Sequence, residues 1–334
     1  MEVEERLALT LKGTSEVLVP DELGQLLATK DHPKVYIGFE PSGPFTVGQL
    51  VTISKILDLE KAGFVVTVFL ADWHAFINDK LGGSMERITA AGKEMERVIR
   101  VLGAGSGVRF RWASELIGTS DYWGRVIRSA KAMSLARVRR AMTIMGRNEA
   151  EADMDSAKLY YPAMQVADIF ELGVDVAYGG IDQRRAHVLA REVAAKYGWP
   201  VPIALHTPLI SSLKGGGRMN AGEEGLMERK MSKSDATTAI YATDSEETIR
   251  ARIQSAYCPV KEVEGNPMIE LAIHLILPWQ GRLAIERSEK HGGPIEFTRG
   301  EELLSAWTAG KLHPLDLKSG VAHGLVDILR PLRA

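Results

Sequence analysis

The five residues from Lys230 to Ser234 carry groups suited to chemistry on a polyphosphate. Lys230 and Lys233 supply two ammonium groups, and Met231 separates the first of them from Ser232. Ser232 and Ser234 supply two hydroxyl groups. Such donors stabilise the negative charge that grows on phosphate oxygens as pyrophosphate leaves. A lysine and serine run on a loop is usually solvated surface, but this pentad after a strand-and-helix region favours a functional interpretation.

A second candidate lies in residues 36–50 (YIGFEPSGPFTVGQL), where a turn rich in proline and glycine separates a strand pattern from a helix pattern. Free backbone N–H groups and the helix dipole favour an anion such as phosphate at the start of a helix. Gly48 would let a ligand approach the backbone closely. Many α/β proteins have a similar turn that binds nothing, so this stretch alone does not indicate a function.

Alternating strand and helix patterns indicate the frame that positions these groups. The second apolar run reads FVVTVFL, as expected for a strand covered by helices on both faces. A helical pattern at residues 121–145 interrupts the series after the third run. We therefore predict an α/β fold with a Rossmann-type parallel sheet. Its predicted strands are residues 35–39, 64–70, 108–112, 174–178 and 201–205.

Two domains are predicted. Residues 1–235 would form the Rossmann-type domain, with an inserted helical segment at about residues 113–160 and a loop at residues 211–235. Residues 211–228 are rich in glycine and charge and lack apolar periodicity, which predicts a mobile surface loop. Residues 236–334 would form a smaller, all-helical C-terminal domain.

Local signals support helices in the C-terminal domain. Thr243 and Glu246 have the spacing of a capping box ahead of three apolar residues on one helical face, Ile249, Ile253 and Ala256. A last helix would end before a proline. It would bury Val321, Leu325, Ile328 and Leu329 and end before Pro331.

Composition limits the possible partners and surroundings. The chain has 41 lysine and arginine residues against 43 aspartate and glutamate residues, so a polyanion would have to bind a local basic patch. The single cysteine, Cys258, cannot form an internal disulfide, and the N-terminus lacks a secretory signal pattern. No apolar run approaches the roughly 20 residues of a membrane-spanning helix. We therefore expect a cytoplasmic protein with no membrane role.

Taken together, the two candidate stretches resemble the signatures of class I aminoacyl-tRNA synthetases, a HIGH-type helix start and a KMSKS loop. The segments YIGFEPSG, ADWHAFIND, YPAMQVADI, LGVDVAYGGIDQR, KMSKS, YCPVKEVEGNP and LHPLDLK look like the archaeal and eukaryotic tyrosyl branch, in that order. The resemblance implies a homodimer that joins L-tyrosine to tRNA(Tyr) with ATP and Mg²⁺. Residues 1–235 would be catalytic, and residues 236–334 would recognise the anticodon.

The resemblance assigns Tyr36 and Asp168 to the phenolic hydroxyl of tyrosine. A site built to hydrogen-bond that hydroxyl leaves its own groups unpaired when phenylalanine binds, and tyrosyl-tRNA synthetases are the standard example of this discrimination. Asp168 could instead be a solvated carboxylate, although its neighbours in MQVADIFELG look buried. Three further residues would hold the substrate's ammonium group: Tyr161, Gln165 and Gln183. His74 would lie near the same pocket, with a structural role as an equal alternative.

The resemblance also assigns residues to the nucleotide. Thr46 and Gln49 stand where the family usually has histidines; they can donate hydrogen bonds but cannot carry an imidazolium charge. Ile117 stands where this branch usually has glutamine. These departures leave open a paralogue for another amino acid, such as tryptophan, or a catalytically weak tRNA-binding paralogue.

The resemblance also implies contacts with ATP. Ser42, Lys230 and Lys233 would act on the phosphates, and the other implied contacts are Gly38, Glu40, Gly48, Gly180, Asp182, Met231, Ser232 and Ser234.

Basic residues concentrate in the inserted segment, which indicates either a phosphate-binding surface or a solvated helix face. They are Arg125, Arg128, Lys131, Arg137, Arg139, Arg140 and Arg147. The resemblance implies acceptor-stem contacts by Arg139, Arg140 and Arg184. It implies anticodon contacts by Asp316, through base amino groups, and by His291, through stacking. Asp316 could instead be a helix N-cap.

Overall fold

The computed structural model describes residues 1–145, 155–215, 231 and 238–333. They divide into two compact units. The first unit comprises Met1–Gly43 and Lys55–Thr207, and the second comprises Pro44–Ser54 and Pro208–Ala334. The predicted boundary between residues 235 and 236 falls where residues 232–237 lie outside the described residues, so it stays a prediction.

A six-stranded sheet forms the centre of the first unit, in the order β1-β6-β5-β2-β3-β4. The five predicted strands are all present and mutually parallel, which confirms the predicted α/β class. The sixth strand, β1, was not predicted; it has only three residues and pairs antiparallel with β6 at the edge. The strands are β1 (Glu16–Leu18), β2 (Lys34–Phe39), β3 (Val65–Leu70), β4 (Val108–Trp112), β5 (Val176–Gly180) and β6 (Ile203–Thr207).

Strand boundaries differ from the predictions by one or two residues. β6 begins at Ile203 rather than at Val201, because Pro202 has no N–H to donate to a neighbouring strand. β2 is central, and its Tyr36 lies in register between Thr67 of β3 and Ala177 of β5. The middle of β2 is therefore covered on both edges by other strands.

Helices cover the sheet of the first unit, and one buried side chain ties several of their ends together. Arg6 of α1 donates hydrogen bonds to the backbone oxygens of Leu27, Lys30, Asp31 and Ala62, which satisfies carbonyls that the ends of α2 and α3 leave unpaired. The helices are α1 (Val3–Leu11), α2 (Pro20–Thr29), α3 (Val47–Lys61), α4 (Asp72–Ile77), α5 (Met85–Val101), α6 (Ser120–Lys131), α7 (Leu135–Ala141), α8 (Tyr161–Glu171) and α9 (Arg184–Tyr197).

The helix predicted at residues 121–145 is two helices. α6 ends at Lys131, and α7 begins at Leu135. The hydroxyl of Ser134 accepts a hydrogen bond from the N–H of Arg137, so Ser134 acts as the N-cap of a new helix. This break depends on a capping side chain, which apolar periodicity does not register.

The second unit is mainly helical, and the predicted last helix is confirmed. Val321, Leu325, Ile328 and Leu329 are buried, and the helix ends at Leu329. The prediction of an all-helical region is corrected by a two-stranded antiparallel sheet, β7 (Leu283–Ile285) with β8 (Ile295–Phe297). The described helices are α10 (Glu246–Ser255), α11 (Pro267–Leu271), α12 (Leu277–Gln280), α13 (Gly300–Thr308) and α14 (Pro314–Leu329), with a π-helical turn at Ala272–Ile276.

The predicted capping box of α10 is wrong by two residues. Ser245, and not Thr243, is the N-cap, and its hydroxyl accepts from the N–H of Thr248. The buried face was predicted correctly, since Ile249 and Ile253 are 0% and 1% exposed. None of the described helices is long and apolar enough to cross a membrane.

Candidate active site

The site is built around Tyr36 of β2 and Asp168 of α8, which are 2% and 1% exposed. Their neighbours Ala167 and Ala177 belong to the apolar core around Tyr36. Burial and the charge of Asp168 both raise the pKa of the Tyr36 hydroxyl well above its usual value. Tyr36 therefore stays a neutral phenol that can donate a hydrogen bond. The structure brings together the two residues that the resemblance assigned to one pocket.

Gly38 leaves room above the ring of Tyr36. The two residues lie on the same face of β2, because side chains alternate along a strand. A Cβ atom at Gly38 would lie 3.7 Å from Cε2 of Tyr36. Gly38 is exposed although it lies in a central strand, so the space beside the phenol ring opens to the outside at this point.

Two side chains contact the carboxylate of Asp168, one on each oxygen. The hydroxyl of Tyr122 donates a hydrogen bond to Oδ1 at 2.8 Å. Nε2 of His74 lies 3.1 Å from Oδ2. Tyr122 was missed by the sequence analysis. Its signal was the helical spacing of Tyr122, Val126 and Ser129, which are all buried, together with the rule that a buried tyrosine hydroxyl needs a partner.

Aromatic rings and carboxylates surround the ring of His74. Its ring meets those of Tyr161 and Phe69 edge to face, with centroids 4.9 Å and 6.3 Å away. Burial alone would lower the pKa of His74, but the carboxylates of Asp168 and Glu40 raise it above its usual value. The contact supports a place for His74 in the predicted pocket.

Glu40, at the end of β2, is the centre of a second polar cluster. Its carboxylate accepts from the hydroxyl of Tyr161 at 2.7 Å and from Nδ2 of Asn78 at 3.0 Å. Nζ of Lys80 lies 3.4 Å from the other oxygen. Asn78 and Lys80 were not predicted. The Glu40 carboxylate therefore already accepts from two side chains and lies beside one ammonium group.

Gln165 and Gln183 contact each other, as the predicted shared role requires. Nε2 of Gln165 donates to Oε1 of Gln183 at 3.1 Å. Oε1 of Gln165 is buried and has no hydrogen-bond partner among the described residues. An unsatisfied buried acceptor costs about 1–3 kcal/mol, so this oxygen is suited to receive a donor from a ligand.

The end of β5 brings the backbone close to Gln183. A Cβ atom at Gly179 would lie 3.0 Å from Cβ of Gln183, closer than side chains normally approach. A side chain at this position would therefore have to displace Gln183 by a few tenths of an ångström. The predicted nucleotide contacts follow directly: Gly180 is the last residue of β5, and Asp182 lies in the 3₁₀ turn between β5 and α9.

In the second unit, Thr46 and Gln49 are joined at the start of α3. The N–H of Thr46 donates to Oε1 of Gln49 at 3.1 Å, and the N–H of Gln49 donates to the oxygen of Thr46. Thr46 is buried, and Gln49 is half-buried. Since its Oε1 accepts, the side-chain amide of Gln49 presents its N–H groups as donors. Ser42, in the first unit, is half-buried.

Met231 is the one residue of the KMSKS pentad that the structure describes. Its N–H donates to the oxygen of Ile210 at 2.9 Å, and it is 4% exposed. A Cβ atom at Gly48 would lie 3.6 Å from Cβ of Met231, so Gly48 and Met231 pack together. The side chain of Met231 is thus part of the core of the second unit. Lys230, Ser232, Lys233 and Ser234, like most of the predicted loop, lie outside the described residues.

The predicted acceptor-stem residues differ in their surroundings. Arg139 and Arg140 are exposed on α7. Arg184 is not free in this structure, because its Nε lies 2.9 Å from both carboxylate oxygens of Glu16. Arg147 lies outside the described residues.

The predicted anticodon residues lie in the second unit. Asp316 is half-buried in the first turn of α14. The alternative role of Asp316 as an N-cap is wrong, because His313 precedes the helix and its Nδ1 accepts from the N–H of Leu315 at 3.2 Å. His291 lies in the short 3₁₀ turn Glu289–His291.

A separate buried polar chain links β1, β6 and α9. Nδ1 of His187 lies 2.9 Å from Nε2 of His206, whose Nδ1 lies 2.9 Å from Glu16. Both histidines are 1% exposed or less. Burial, with a smaller effect of His206, lowers the pKa of His187 to about 3. The pair therefore stays neutral in the folded protein near pH 7.

Residues 28–330 match the family described as tRNA synthetases class I (W and Y). The chain belongs to this family, as a buried site at the carboxyl end of a parallel sheet and the KMSKS pentad had indicated. It is 50% identical to the tyrosine–tRNA ligase of Aeropyrum pernix over 100% of this chain and 93% of that protein. It is 46% identical to the tyrosine–tRNA ligase of Picrophilus torridus over 96% of each.

Solved structures give the same result. The tyrosyl-tRNA synthetase of Pyrococcus horikoshii, complexed with L-tyrosine, is similar with a TM-score of 0.91 and 41% identity, over 100% of this chain and 96% of that one. The Archaeoglobus fulgidus tyrosyl-tRNA synthetase, also complexed with L-tyrosine, has a TM-score of 0.90 and 38% identity over 99% of each chain. The resemblance found in the sequence is confirmed at the level of the family.

Proposed function

We propose that this chain is a tyrosine–tRNA ligase, which activates tyrosine with ATP and transfers it to the 3′ end of tRNA(Tyr). The observation that carries the proposal is the buried pair of a neutral phenol, Tyr36, and a carboxylate, Asp168, with Gly38 beside the phenol ring. The full-length identity to tyrosine–tRNA ligases supports it.

Recognition of the substrate's ring hydroxyl requires a donor and an acceptor. The hydroxyl of Tyr36 donates a hydrogen bond to the substrate's ring hydroxyl, because Tyr36 stays protonated. The carboxylate of Asp168 accepts a hydrogen bond from the same ring hydroxyl. When phenylalanine binds, both groups lose a partner away from water, which costs more than the loss of apolar contact. Tryptophan has no hydroxyl at this position, so the same pair disfavours it.

The substrate's ammonium group would lie between Glu40 and Gln165. Glu40 provides a negative charge, and Oε1 of Gln165 provides the buried acceptor that has no partner among the described residues. Tyr161 orients Glu40 through its 2.7 Å hydrogen bond. Because the ring hydroxyl and the ammonium group of tyrosine are both bound, its carboxylate is positioned for attack on the α-phosphate of ATP. This positioning removes much of the entropic barrier to adenylate formation.

The ATP phosphates would be bound by donors at the start of α3 and by the pentad. Gln49 presents amide N–H groups there, and Ser42 would add a hydroxyl. Lys230 and Lys233 would stabilise the departing pyrophosphate; their role rests on the sequence motif. The adenylate and pyrophosphate form in this step, and the terminal adenosine of tRNA then takes the tyrosyl group.

Mg²⁺ is proposed as a companion of the ATP phosphates rather than as a permanently bound ion. Within the part of the chain that the structure describes, no three His, Cys, Asp or Glu side chains lie close enough to hold a metal ion. This fits a cation whose ligands are mostly phosphate oxygens and water, which is common for Mg²⁺. Bound in this way, it would neutralise phosphate charge.

The tRNA is proposed to contact both units. Arg139 and Arg140 are available for the acceptor stem, whereas Arg184 would have to leave Glu16 first. In the second unit, Asp316 and His291 are the candidates for anticodon bases. Asp316 is not needed as a cap, so its carboxylate remains suited to accept from a base amino group.

A homodimer is also proposed, through the outer face of α6 and α7. Trp123, Ile127 and Leu135 are 38%, 64% and 57% exposed there. Large apolar side chains grouped on a surface are typical of protein interfaces. A second copy of this chain would cover them.

Tyrosine-dependent ATP–pyrophosphate exchange tests the proposed function. Wild-type protein should exchange with tyrosine and not with tryptophan. Asp168→Asn should reduce kcat/KM for tyrosine by about a hundredfold, because the amide has no negative charge and keeps only one of the two acceptor oxygens. The control is Asp121→Asn, an exposed position on α6, which should behave like wild type. Exchange that prefers tryptophan, or that no amino acid supports, would overturn the proposal.

A further inference from the structure

A buried hydroxyl from the inserted segment completes the surroundings of Asp168. Tyr122 of α6 is 0% exposed, and its hydroxyl lies 2.8 Å from Oδ1 of Asp168. We propose that Tyr122 is a positioning residue that sets the preference for tyrosine over phenylalanine, by holding the Asp168 carboxylate in the orientation that accepts the substrate's hydroxyl. This inference rests on the proposed role of Asp168.

The need for such a group follows from the torsional freedom of aspartate. Rotation about the bond to its carboxylate has broad minima, so the backbone alone does not orient the two oxygens. Tyr122 contacts Oδ1 and His74 contacts Oδ2. These two contacts come from different helices, α6 and α4, and together they define the plane of the carboxylate. With the hydroxyl of Tyr122 removed, His74 alone would remain.

The two contacts leave room for a substrate. A carboxylate offers about four lone-pair sites; the hydroxyl of Tyr122 uses one on Oδ1, and Nε2 of His74 lies beside Oδ2. The remaining sites can accept the hydroxyl of bound tyrosine. Tyr36 lies on the same buried side, close enough for the charge of Asp168 to raise its pKa.

The chemistry of Tyr122 makes it a permanent donor. Burial first, and then the charge of Asp168, raise the pKa of its hydroxyl far above the usual value. The hydroxyl therefore stays protonated near neutral pH. Its hydrogen bond to a carboxylate belongs to the stronger, charge-assisted class.

A purely structural role would make the same hydrogen bond without affecting the choice of substrate. Tyr178 provides the comparison within this chain. It is 1% exposed, and its hydroxyl lies 3.2 Å from Oγ1 of Thr207. Tyr178→Phe therefore removes a buried tyrosine hydroxyl of the same unit that lies beside Thr207.

The test compares Tyr122→Phe with Tyr178→Phe by pyrophosphate exchange, with tyrosine and with phenylalanine as substrates. Loss of a hydrogen bond to a charged group should lower kcat/KM for tyrosine by about ten- to a hundredfold. Most of the change should be in KM, because the ring hydroxyl is remote from the reacting carboxylate. The value for phenylalanine should be unchanged, so the discrimination ratio falls. Tyr178→Phe should leave the ratio unchanged.

A double-mutant cycle with Asp168→Asn makes the result specific. If Tyr122 acts through Asp168, adding Tyr122→Phe to Asp168→Asn should not further lower the ratio of kcat/KM for tyrosine to that for phenylalanine. Circular dichroism melting of each variant sets an assay temperature below the onset of its unfolding. An unchanged ratio in Tyr122→Phe, or equal losses for both amino acids, overturns the inference. If Asp168→Asn itself leaves the ratio unchanged, the proposed tyrosine site fails instead.

Discussion

At the scale of residues, the candidate site consists of polar side chains whose burial requires each to have a defined partner. Asp168 and Glu40 are the two carboxylates, and each is contacted by a tyrosine hydroxyl and at least one nitrogen. The first lies at the proposed ring hydroxyl, and the second at the proposed ammonium group. A carboxylate at each end of the substrate would fix its direction as well as its identity.

Glu40→Gln should weaken binding of the substrate's ammonium group and leave binding of the ring hydroxyl unchanged. Loss of the charge should lower kcat/KM for tyrosine by about ten- to a hundredfold, because a charge-assisted contact with the ammonium group is lost. Inhibition by 3-(4-hydroxyphenyl)propionate, which has no ammonium group, should not weaken. Inhibition constants in the exchange assay provide the measurement.

The matched control is Glu94→Gln. Glu94 is an exposed residue of α5 that pairs with Arg97, so both constants should stay at wild-type values. If Glu40→Gln weakens tyrosine and the deaminated analogue equally, Glu40 acts on the shape of the pocket, and its proposed contact with the ammonium group is wrong.

At the scale of elements, α6 contributes to two different surfaces. Its inner face carries Tyr122 and Val126 into the core, and its outer face exposes Trp123 and Ile127. An amphipathic helix normally leaves polar residues outside. Two large apolar side chains among the polar residues of this outer face, Trp123 and Ile127, are therefore the feature that supports a partner at this helix.

Ile127→Asp should convert the proposed dimer into a monomer. A charge at a side chain that is 64% exposed costs little in the folded monomer, but it would be buried without a partner in the interface, at a cost of several kcal/mol. Light scattering after size-exclusion chromatography measures the mass. Val260→Asp, at a valine of the second unit that is 60% exposed, is the control and should leave the mass unchanged. A monomeric wild type would contradict the proposed dimer.

At the scale of the whole molecule, stability should depend on pH through His187. Its pKa in the folded protein is about 3, compared with about 6.5 in an unfolded chain. Below about pH 6.5 the unfolded chain takes up a proton that the folded protein does not, so the free energy of unfolding falls as the pH falls toward 3. Above that range His187 contributes no pH dependence.

His187→Asn should make this fall shallower. The largest slope that one such histidine adds is about 1.4 kcal/mol per pH unit. Urea unfolding midpoints measured between about pH 7 and pH 5 would show the difference. His323→Asn is the control, because the His323 side chain is 65% exposed, and its curve should run parallel to that of wild type. A parallel curve for His187→Asn would contradict the prediction.

Much of the fold was predictable because its signals are local. The five parallel strands follow from apolar runs of strand length, and the last helix follows from spacing that places Val321 and Leu325 on one face. The misses have equally local causes. β1 has only three residues, and its apolar run is too short to predict a strand; the break between α6 and α7 depends on one capping hydroxyl, that of Ser134.

The sequence by itself determined the family, through short motifs in a set order, and it indicated Tyr36 and Asp168 as a pair. Only the tertiary structure decided which groups hold them. Tyr122 and His74 reach Asp168 from helices 46 and 94 residues away in the chain, and Arg184 is paired with Glu16 across 168 residues. Spacing in a sequence predicts which residues share a helix face or strand face, but contacts across such separations depend on how the elements pack, and that packing is decided by the whole core at once.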